Sequence, residues 1–152
     1  QEKQKVRFLY GLSDTVLKKC VRAANRAVKK SKTESLLQLL ERRLDNAVFR
    51  LGIAPTRRIA RNIVSYGHIT LNGRRVRSPG ILVRPGDSIA IREESKKLSL
   101  FEGLGPRLKK YEPPAWLHLD SESVRGEIKR LPTEADKPIS QNLNKVIEFY
   151  SR

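Results

Sequence analysis

The sequence has little material for metal, cofactor or disulfide chemistry. It contains one cysteine, Cys20, together with one tryptophan, two histidines and no methionine. A single cysteine excludes an intramolecular disulfide and a cysteine-cluster metal site, and it is typical of a reducing compartment. His68 and His118 are far apart and lie in no metal-ligand spacing. The sequence therefore predicts no metal and no cofactor.

Long apolar runs are also missing. No stretch approaches the roughly 18 residues of a transmembrane helix, and the opening QEKQKVRFLY lacks the apolar core of a signal peptide. Binding to an anionic membrane surface would need a basic amphipathic helix with aromatic anchors, and Trp116 lies outside the basic half. We therefore expect no membrane partner. Because the chain begins with Gln1 and contains no Met, we expect its natural N-terminus to lie upstream.

Patterns for catalysis are absent as well. Glu93 and Glu94 are adjacent in a polar stretch and cannot face each other as an acid–base pair. Gly103-Leu104-Gly105 is not followed by the Lys-Ser/Thr of a phosphate-binding loop. There is no Gly-x-Ser-x-Gly element. The sequence predicts no catalytic residues and no enzyme.

Positive charge, by contrast, is abundant and concentrated. The 152 residues include 32 Lys and Arg against 16 Asp and Glu, which gives a net charge of +16 and a pI near 10.5. Residues 1–92 hold 21 basic and 6 acidic residues, whereas residues 93–152 hold 11 and 10. Such a segregated charge predicts a polyanionic partner, and nucleic acid is the commonest one. With 6% aromatic residues, the composition does not support a stacking platform for single strands.

Periodicity predicts an α+β protein with a small antiparallel sheet. The apolar residues of the predicted helices repeat every three to four positions, and Cys20, Ala27 and Val28 lie on the apolar stripe of the first. Asn72-Gly73 is a strong hairpin signal. Helices are predicted at 13–30, 34–51, about 57–66 and 140–151, and strands at 68–71, 74–77, 81–83, 88–92, 116–119 and 124–128. Residues 93–113 are predicted to form a charged connector with one short helix near 96–104.

The helix at 57–66 separates its apolar and basic residues. With Thr56 as the N-cap, Arg57, Arg58 and Arg61 lie within an arc of about 100°, and Ile59, Ala60, Ile63 and Val64 lie opposite. Two of these arginines are in the first turn, where the helix dipole disfavours cations. A solvated face is the plain alternative, but an external anion would remove this conflict. We interpret the face as a phosphate-binding surface.

Several segments resemble one family. Residues 36–76, LLQLLERRLDNAVFRLGIAPTRRIARNIVSYGHITLNGRRV, resemble small-subunit ribosomal protein four, the S-four family. Further similar segments are VRPGDSIAIRE at 83–93, VIEFYSR at 146–152 and EKQKVRFLYGLS at 2–13. The resemblance covers essentially the whole chain. The family's N-terminal arm, which binds zinc in some members, has no counterpart in this sequence, so the zinc binding and the mRNA-entry contacts made by that arm are not assigned to this chain. Residues 93–113 depart from the usual helical stretch.

The resemblance implies a fold of two parts and a role in the ribosome. Residues 1–42 and 131–152 would form a helical part, and residues 43–130 an α+β part that contains an S-four RNA-binding module at about 43–106. The family implies a protein that binds small-subunit rRNA early, nucleates assembly of the subunit body and contributes to translational accuracy. Implied partners are ribosomal protein five, other small-subunit proteins and mRNA near the site where it enters, in a cytoplasmic or organellar ribosome.

Two basic faces are the predicted RNA-binding site. Folded RNA is recognised largely through phosphates, 2′-hydroxyls and shape, which suits arginine forks. Asp45 and Arg50 flank an apolar stripe and are interpreted as structural. The residues predicted to bind RNA are Lys3, Lys5, Arg7, Lys18, Lys19, Arg22 and Arg26 in the helical part, and Arg43, Arg57, Arg58, Arg61, Asn72, Gly73, Arg74 and Arg75 in the α+β part.

Three other functions remain as alternatives. A stand-alone RNA chaperone would explain residues 43–106 but not the two chain ends. A pseudouridine synthase would need a catalytic domain with a nucleophilic Asp, for which the chain has no room. A scaffold that binds only proteins would leave the basic half unexplained.

Overall fold

The computed structural model describes residues 1–152, and the chain divides into two compact units. The first unit comprises Gln1–Glu41 and Pro132–Arg152, and the second comprises Arg42–Leu131. Seven α-helices and one five-stranded sheet confirm the predicted α+β class. No helix is both long and apolar enough to cross a bilayer. The elements are α1 (Glu2–Tyr10), α2 (Asp14–Asn25), α3 (Lys32–Glu41), α4 (Leu44–Arg50), α5 (Arg57–Ser65), β1 (Ile69–Leu71), β2 (Arg74–Val76), β3 (Ser88–Ile91), α6 (Leu104–Lys109), β4 (Leu117–Asp120), β5 (Arg125–Ile128) and α7 (Leu143–Tyr150), with 3₁₀ turns at Glu93–Ser95, Ser99–Phe101 and Glu134–Asp136.

The first unit packs α1, α2, α3 and α7 around one apolar core. The helix α2 begins at the predicted cap, because the Ser13 hydroxyl accepts a hydrogen bond from the Val16 amide at 3.2 Å. Cys20 is half-buried against the core, where it acts as a small apolar residue. Tyr150 donates a hydrogen bond of 2.5 Å to Asp14, which joins the end of α7 to the start of α2. The fully buried core residues include Val6, Leu17, Val21, Leu36, Leu40 and Val146.

The second unit places three helices and an antiparallel sheet around a second core. The strand order is β2-β1-β3-β5-β4, and every neighbouring pair is antiparallel. Side chains alternate along β3, where Ile89 and Ile91 are buried and Ser88 and Ala90 are half-buried. Trp116 is fully buried in this core. Other core members are Leu44, Val48, Leu51, Ala60, Val64, Ile69 and Ile128.

The predicted hairpin is confirmed, with its turn at Asn72-Gly73. Both residues have positive φ, 53° and 81°, as a two-residue type I′ turn requires. The Asn72 side chain also reaches a neighbouring strand, because its Oδ1 accepts from the Ser88 amide at 2.8 Å and its Nδ2 donates to Asp87 Oδ1 at 2.9 Å. The hairpin is therefore tied to the start of β3.

The helix predicted at 34–51 is wrong as a single element. It is split into α3 and α4 at Arg42, which lies in a turn, and Arg43, whose backbone is extended. The segment 81–83, predicted as a strand, pairs here: the Val83 amide donates to the Arg42 carbonyl, and the Leu44 amide donates to the Ile81 carbonyl, both at 2.8 Å. These bonds replace helical ones, so the helix is interrupted.

Other predicted boundaries also need correction. The first long helix ends at Asn25 rather than at residue 30, and Val28, expected on its apolar stripe, is 93% exposed. Ile59, expected on the buried side of α5, is partly exposed. The short helix expected near 96–104 lies instead at Leu104–Lys109. Pro106 is tolerated there because it occupies the first turn, where its missing amide has no helical partner.

Candidate nucleic-acid interface

The helix α2 presents four of the predicted cations on one face. Lys18, Lys19, Arg22 and Arg26 are all exposed, and none forms a hydrogen bond or ion pair within the chain. Their spacing places them within about 100° around the helix axis. The opposite face carries Leu17, Val21 and Ala24 into the core. The result is a rigidly held row of cations that face solvent.

The three cations of α1 that were predicted to bind RNA differ in the contacts they make within the chain. Lys3 pairs with Asp14 at 3.3 Å and lies over the Phe149 ring, 4.2 Å from its centroid. Arg7 donates to the Leu12 carbonyl at 3.3 Å and to Gln4 at 3.0 Å. Lys5 remains exposed, with Glu2 at 3.9 Å. Lys3 and Arg7 thus stabilise the first unit, and Lys5 is the more accessible cation.

The first arginine of α5 is held by α4. Arg57 Nε donates to Asn46 Oδ1 at 2.9 Å, and its guanidinium lies over the Phe49 ring, 4.4 Å from the centroid. The side chain is half-buried. These contacts fix the guanidinium in one orientation, so little side-chain entropy is lost if it also binds a phosphate.

The other two arginines of α5 are exposed. Arg58 and Arg61 make no hydrogen bond or ion pair within the chain, and α5 has no acidic residue in its first turn. Thr56 caps the helix by accepting from the Ile59 amide at 3.1 Å. Because the positive end of the helix dipole lies beside Arg58, the local electrostatics favour an external anion.

The hairpin extends this cationic surface. Gly73 lies at its exposed tip, and Arg74 is exposed and makes no ion pair. Arg75 Nε donates to the Gly67 carbonyl at 2.9 Å, which ties the hairpin to the end of α5. Desolvation and then the neighbouring guanidinium groups of Arg77 and Arg92 lower the pKa of Arg75 from its usual value. Arg92 already pairs with Glu94 at 2.8 Å, so a bound anion would relieve chiefly the repulsion between Arg75 and Arg77.

Arg43 does not belong on this surface. Its side chain is 10% exposed, and its Nε lies 3.2 Å from Asp45 Oδ1 in an ion pair. The structural role predicted for Asp45 fits this pair. The structure places Arg43 in the interior of the second unit, and the exposed surface does not include it.

Sequence reasoning missed three exposed residues beside the predicted ones. Arg77 follows the hairpin, and Arg84 precedes the turn at Pro85-Gly86; both are exposed. The third is Tyr66, the residue after α5, whose side chain is 68% exposed. The helical wheel would not have found it, because at about 100° per residue Tyr66 falls next to Ile59, on the side predicted to be apolar. The chain holds no cluster of three or more His, Cys, Asp or Glu that could bind a metal ion.

Comparison with known proteins identifies the family. The N-terminal domain of ribosomal proteins S4 and S9 matches residues 1–41, and the S4 domain matches residues 42–89. The small ribosomal subunit protein uS4 of Thermus thermophilus is 46% identical over 153 aligned residues, which cover 100% of this chain and 72% of that protein.

Other relatives agree. The uS4 proteins of Aquifex aeolicus and Herpetosiphon aurantiacus are 44% and 43% identical, over 99% and 100% of this chain and 72% of each relative. The predicted resemblance to the S-four family is thereby confirmed, and so is the prediction that the protein is not an enzyme. The chain belongs to the uS4 family of structural, non-catalytic proteins of the small ribosomal subunit.

Proposed function

We propose that this protein binds small-subunit rRNA directly and early, and so nucleates assembly of the subunit body. The proposal rests chiefly on two groups of exposed cations that form no ion pair within the chain, namely Lys18, Lys19, Arg22 and Arg26 on α2, and Arg58, Arg61 and Arg74 on α5 and the hairpin. Each group is carried by packed elements, so the charges are held in place before binding. Two such groups suit a folded RNA junction, whose phosphates lie in a fixed arrangement.

The partners of the protein in the ribosome, and its role in translational accuracy, are also proposals. We propose that the protein contacts ribosomal protein five and mRNA near the site where it enters, and that it contributes to translational accuracy. It would act in a cytoplasmic or organellar ribosome. These follow from membership of the family, and in-vitro assembly tests the first of them: ribosomal protein five should join the particle less completely when this chain is omitted.

Binding to RNA is the direct test. The purified chain is titrated against small-subunit rRNA, with large-subunit rRNA and tRNA as competitors, at 50 and 200 mM salt. With about 6–10 phosphate contacts, the affinity should fall by roughly 10³–10⁵ between these two concentrations. Selective, salt-dependent binding supports the proposal. Equal binding to all three RNAs would instead favour a generic RNA chaperone, and a flat salt response would contradict phosphate recognition.

Single substitutions locate the surface. Arg58→Ala and Arg61→Ala should each reduce the slope of log affinity against log salt by about one, because each removes one phosphate contact. Lys97→Ala is the matched control, since Lys97 is an exposed cation of the same unit outside the proposed surface. If Lys97→Ala changed the slope as much as the arginine substitutions, binding would depend on total charge rather than on this face.

A further inference from the structure

One large aromatic side chain stands exposed at the C-terminal end of α5, next in sequence to the residue that Arg75 contacts. Tyr66 caps the C-terminus of the helix, its ring is 68% exposed, and its hydroxyl makes no hydrogen bond within the chain. Exposing a tyrosine ring to water forfeits burial that this residue type usually obtains. Nothing in the packing of the second unit accounts for its position.

The charges around Tyr66 indicate what would cover it. At 1.5 Å and about 100° per residue, Arg58 precedes it by about 12 Å along the axis and about 80° around it, whereas Arg61, about 7.5 Å away along the axis, lies on a different side of the helix. On its other side, the Arg75 guanidinium bonds to the carbonyl of Gly67, the residue that follows Tyr66. The ring is therefore bordered by cations before and after it in sequence.

The position is also fixed rather than mobile. The Tyr66 amide donates to the Asn62 carbonyl at 2.9 Å and thereby continues the helical pattern. Gly67 follows with φ of +79°, and a Cβ on Gly67 would lie 2.6 Å from Arg75 Nε. The close contact between Gly67 and Arg75 holds the backbone on the C-terminal side of Tyr66. The backbone that carries the ring is therefore ordered before a partner binds.

We infer that Tyr66 is a stacking site for one unpaired nucleobase of the bound rRNA. A base is flat and apolar on its faces, and its phosphates carry the charge that the neighbouring arginines require. Sequence-specific RNA recognition commonly stacks a splayed base on an aromatic side chain. The inference rests on the proposed rRNA binding, and it adds one base contact to an interface that otherwise contacts phosphates.

Four variants test it, with transcribed small-subunit rRNA of Thermus thermophilus as the probe. Tyr66→Ala should weaken binding by about 5- to 150-fold, the range that loss of one stacked base produces. Tyr66→Phe, which keeps the ring, should bind as the unaltered chain does. Tyr66→Leu, which keeps apolar area without a π face, should weaken binding like Ala. Leu100→Ala, an exposed apolar residue of the same unit that is 49% exposed, should have no effect.

The salt dependence distinguishes a failure of the stacking site from a failure of the proposed rRNA binding. No Tyr66 substitution removes a charge, so the affinity should drop by the same factor at 50 and 200 mM salt, with an unchanged slope. Unaltered affinity in Tyr66→Ala, or full affinity in Tyr66→Leu, would overturn the stacking site. If the unaltered chain showed no salt-dependent binding, or Arg58→Ala and Arg61→Ala bound normally, the proposed function would fail instead. Trp116 fluorescence in denaturant checks that each variant is folded.

Discussion

Arg43 and Asp45 are charged residues that the second unit keeps in its interior. Their side chains are 10% and 3% exposed, and the Asp45 carboxylate accepts from Arg43 Nε at 3.2 Å and from the Asn46 amide at 2.7 Å. Gly80 covers the guanidinium, since a Cβ there would lie 3.4 Å from Arg43 Nη1. Such a pair does not guarantee stability, but removal of one partner leaves the other charge buried and unpaired.

Arg43→Met should therefore destabilise the second unit by about 3–5 kcal/mol. Urea denaturation followed by Trp116 fluorescence measures this, because the single tryptophan is buried in the same core as Leu44. The double variant Arg43→Met/Asp45→Leu should recover much of the loss, since no unpaired charge remains buried at this site. If Arg43→Met instead kept its stability and lowered the salt slope of RNA binding, Arg43 would contact phosphate after all.

At the scale of elements, one unusually close approach is between β5 and the end of α4. Gly126 lies in β5, and a Cβ there would stand 2.4 Å from Leu51 Cδ1 and 2.5 Å from Leu51 Cδ2. Leu51 is fully buried in the core and has little room to move. The glycine therefore allows the helix end to pack on the sheet.

Gly126→Ala should destabilise the second unit by about 1–3 kcal/mol, the usual cost of overpacking. Gly105→Ala is the matched control, because its nearest neighbour is the Ser121 carbonyl oxygen at 4.0 Å and it lies in α6. Alanine is the better helix former by roughly 0.5–1 kcal/mol, so the control should be neutral or stabilising. Equal effects of the two substitutions, read by Trp116 fluorescence, would contradict the packing argument.

The elements also show what a sequence can and cannot predict. Asn72-Gly73 and the Thr56 cap depend on local chemistry, and both were predicted correctly. The break at Arg42 was not, because Leu40 and Leu44 keep the helical period across it and neither glycine nor proline marks it. Its cause is the pairing of residue 43 with residue 82, which is distant in sequence. The burial of Arg43 could not be predicted for the same reason, because it depends on contacts with residues distant in sequence. The exposed cations of α2 and α5 could be predicted, because their positions follow from helical periodicity.

At the scale of the whole molecule, the two ends of the chain meet within the first unit. Tyr150 in α7 donates a hydrogen bond of 2.5 Å to Asp14 at the start of α2, across 136 residues of sequence. Lys3 of α1 pairs with the same carboxylate at 3.3 Å. Three helices thus share one exposed polar contact, and its protonation state links their packing to pH.

The directions of the two pKa shifts define the range in which this contact stabilises the fold. The hydrogen bond from Tyr150, and then the contact with Lys3, lower the pKa of Asp14 below its usual 3.8. Burial, and then the hydrogen bond to Asp14, raise the pKa of Tyr150 to about 12. The Asp14 contribution is present above pH 3.8 and is lost as the pH falls through the lowered pKa. The Tyr150 contribution is present below its unfolded value of 10 and is lost as the pH rises towards 12.

Tyr150→Phe should therefore reduce the loss of folding stability at both low and high pH. Thermal unfolding followed by circular dichroism should show a smaller decline for the variant than for the unaltered chain between pH 10 and about 12, and a smaller one below pH 4. Tyr66→Phe is the control, because the Tyr66 hydroxyl makes no hydrogen bond and its removal should leave the profile unchanged. An identical alkaline decline in the unaltered chain and in Tyr150→Phe would show that the contact does not couple folding to pH. In that case the packing of α7 on α1, α2 and α3 would depend on the apolar core and on the other contacts of α7, such as the hydrogen bond between Asn25 and Ser151.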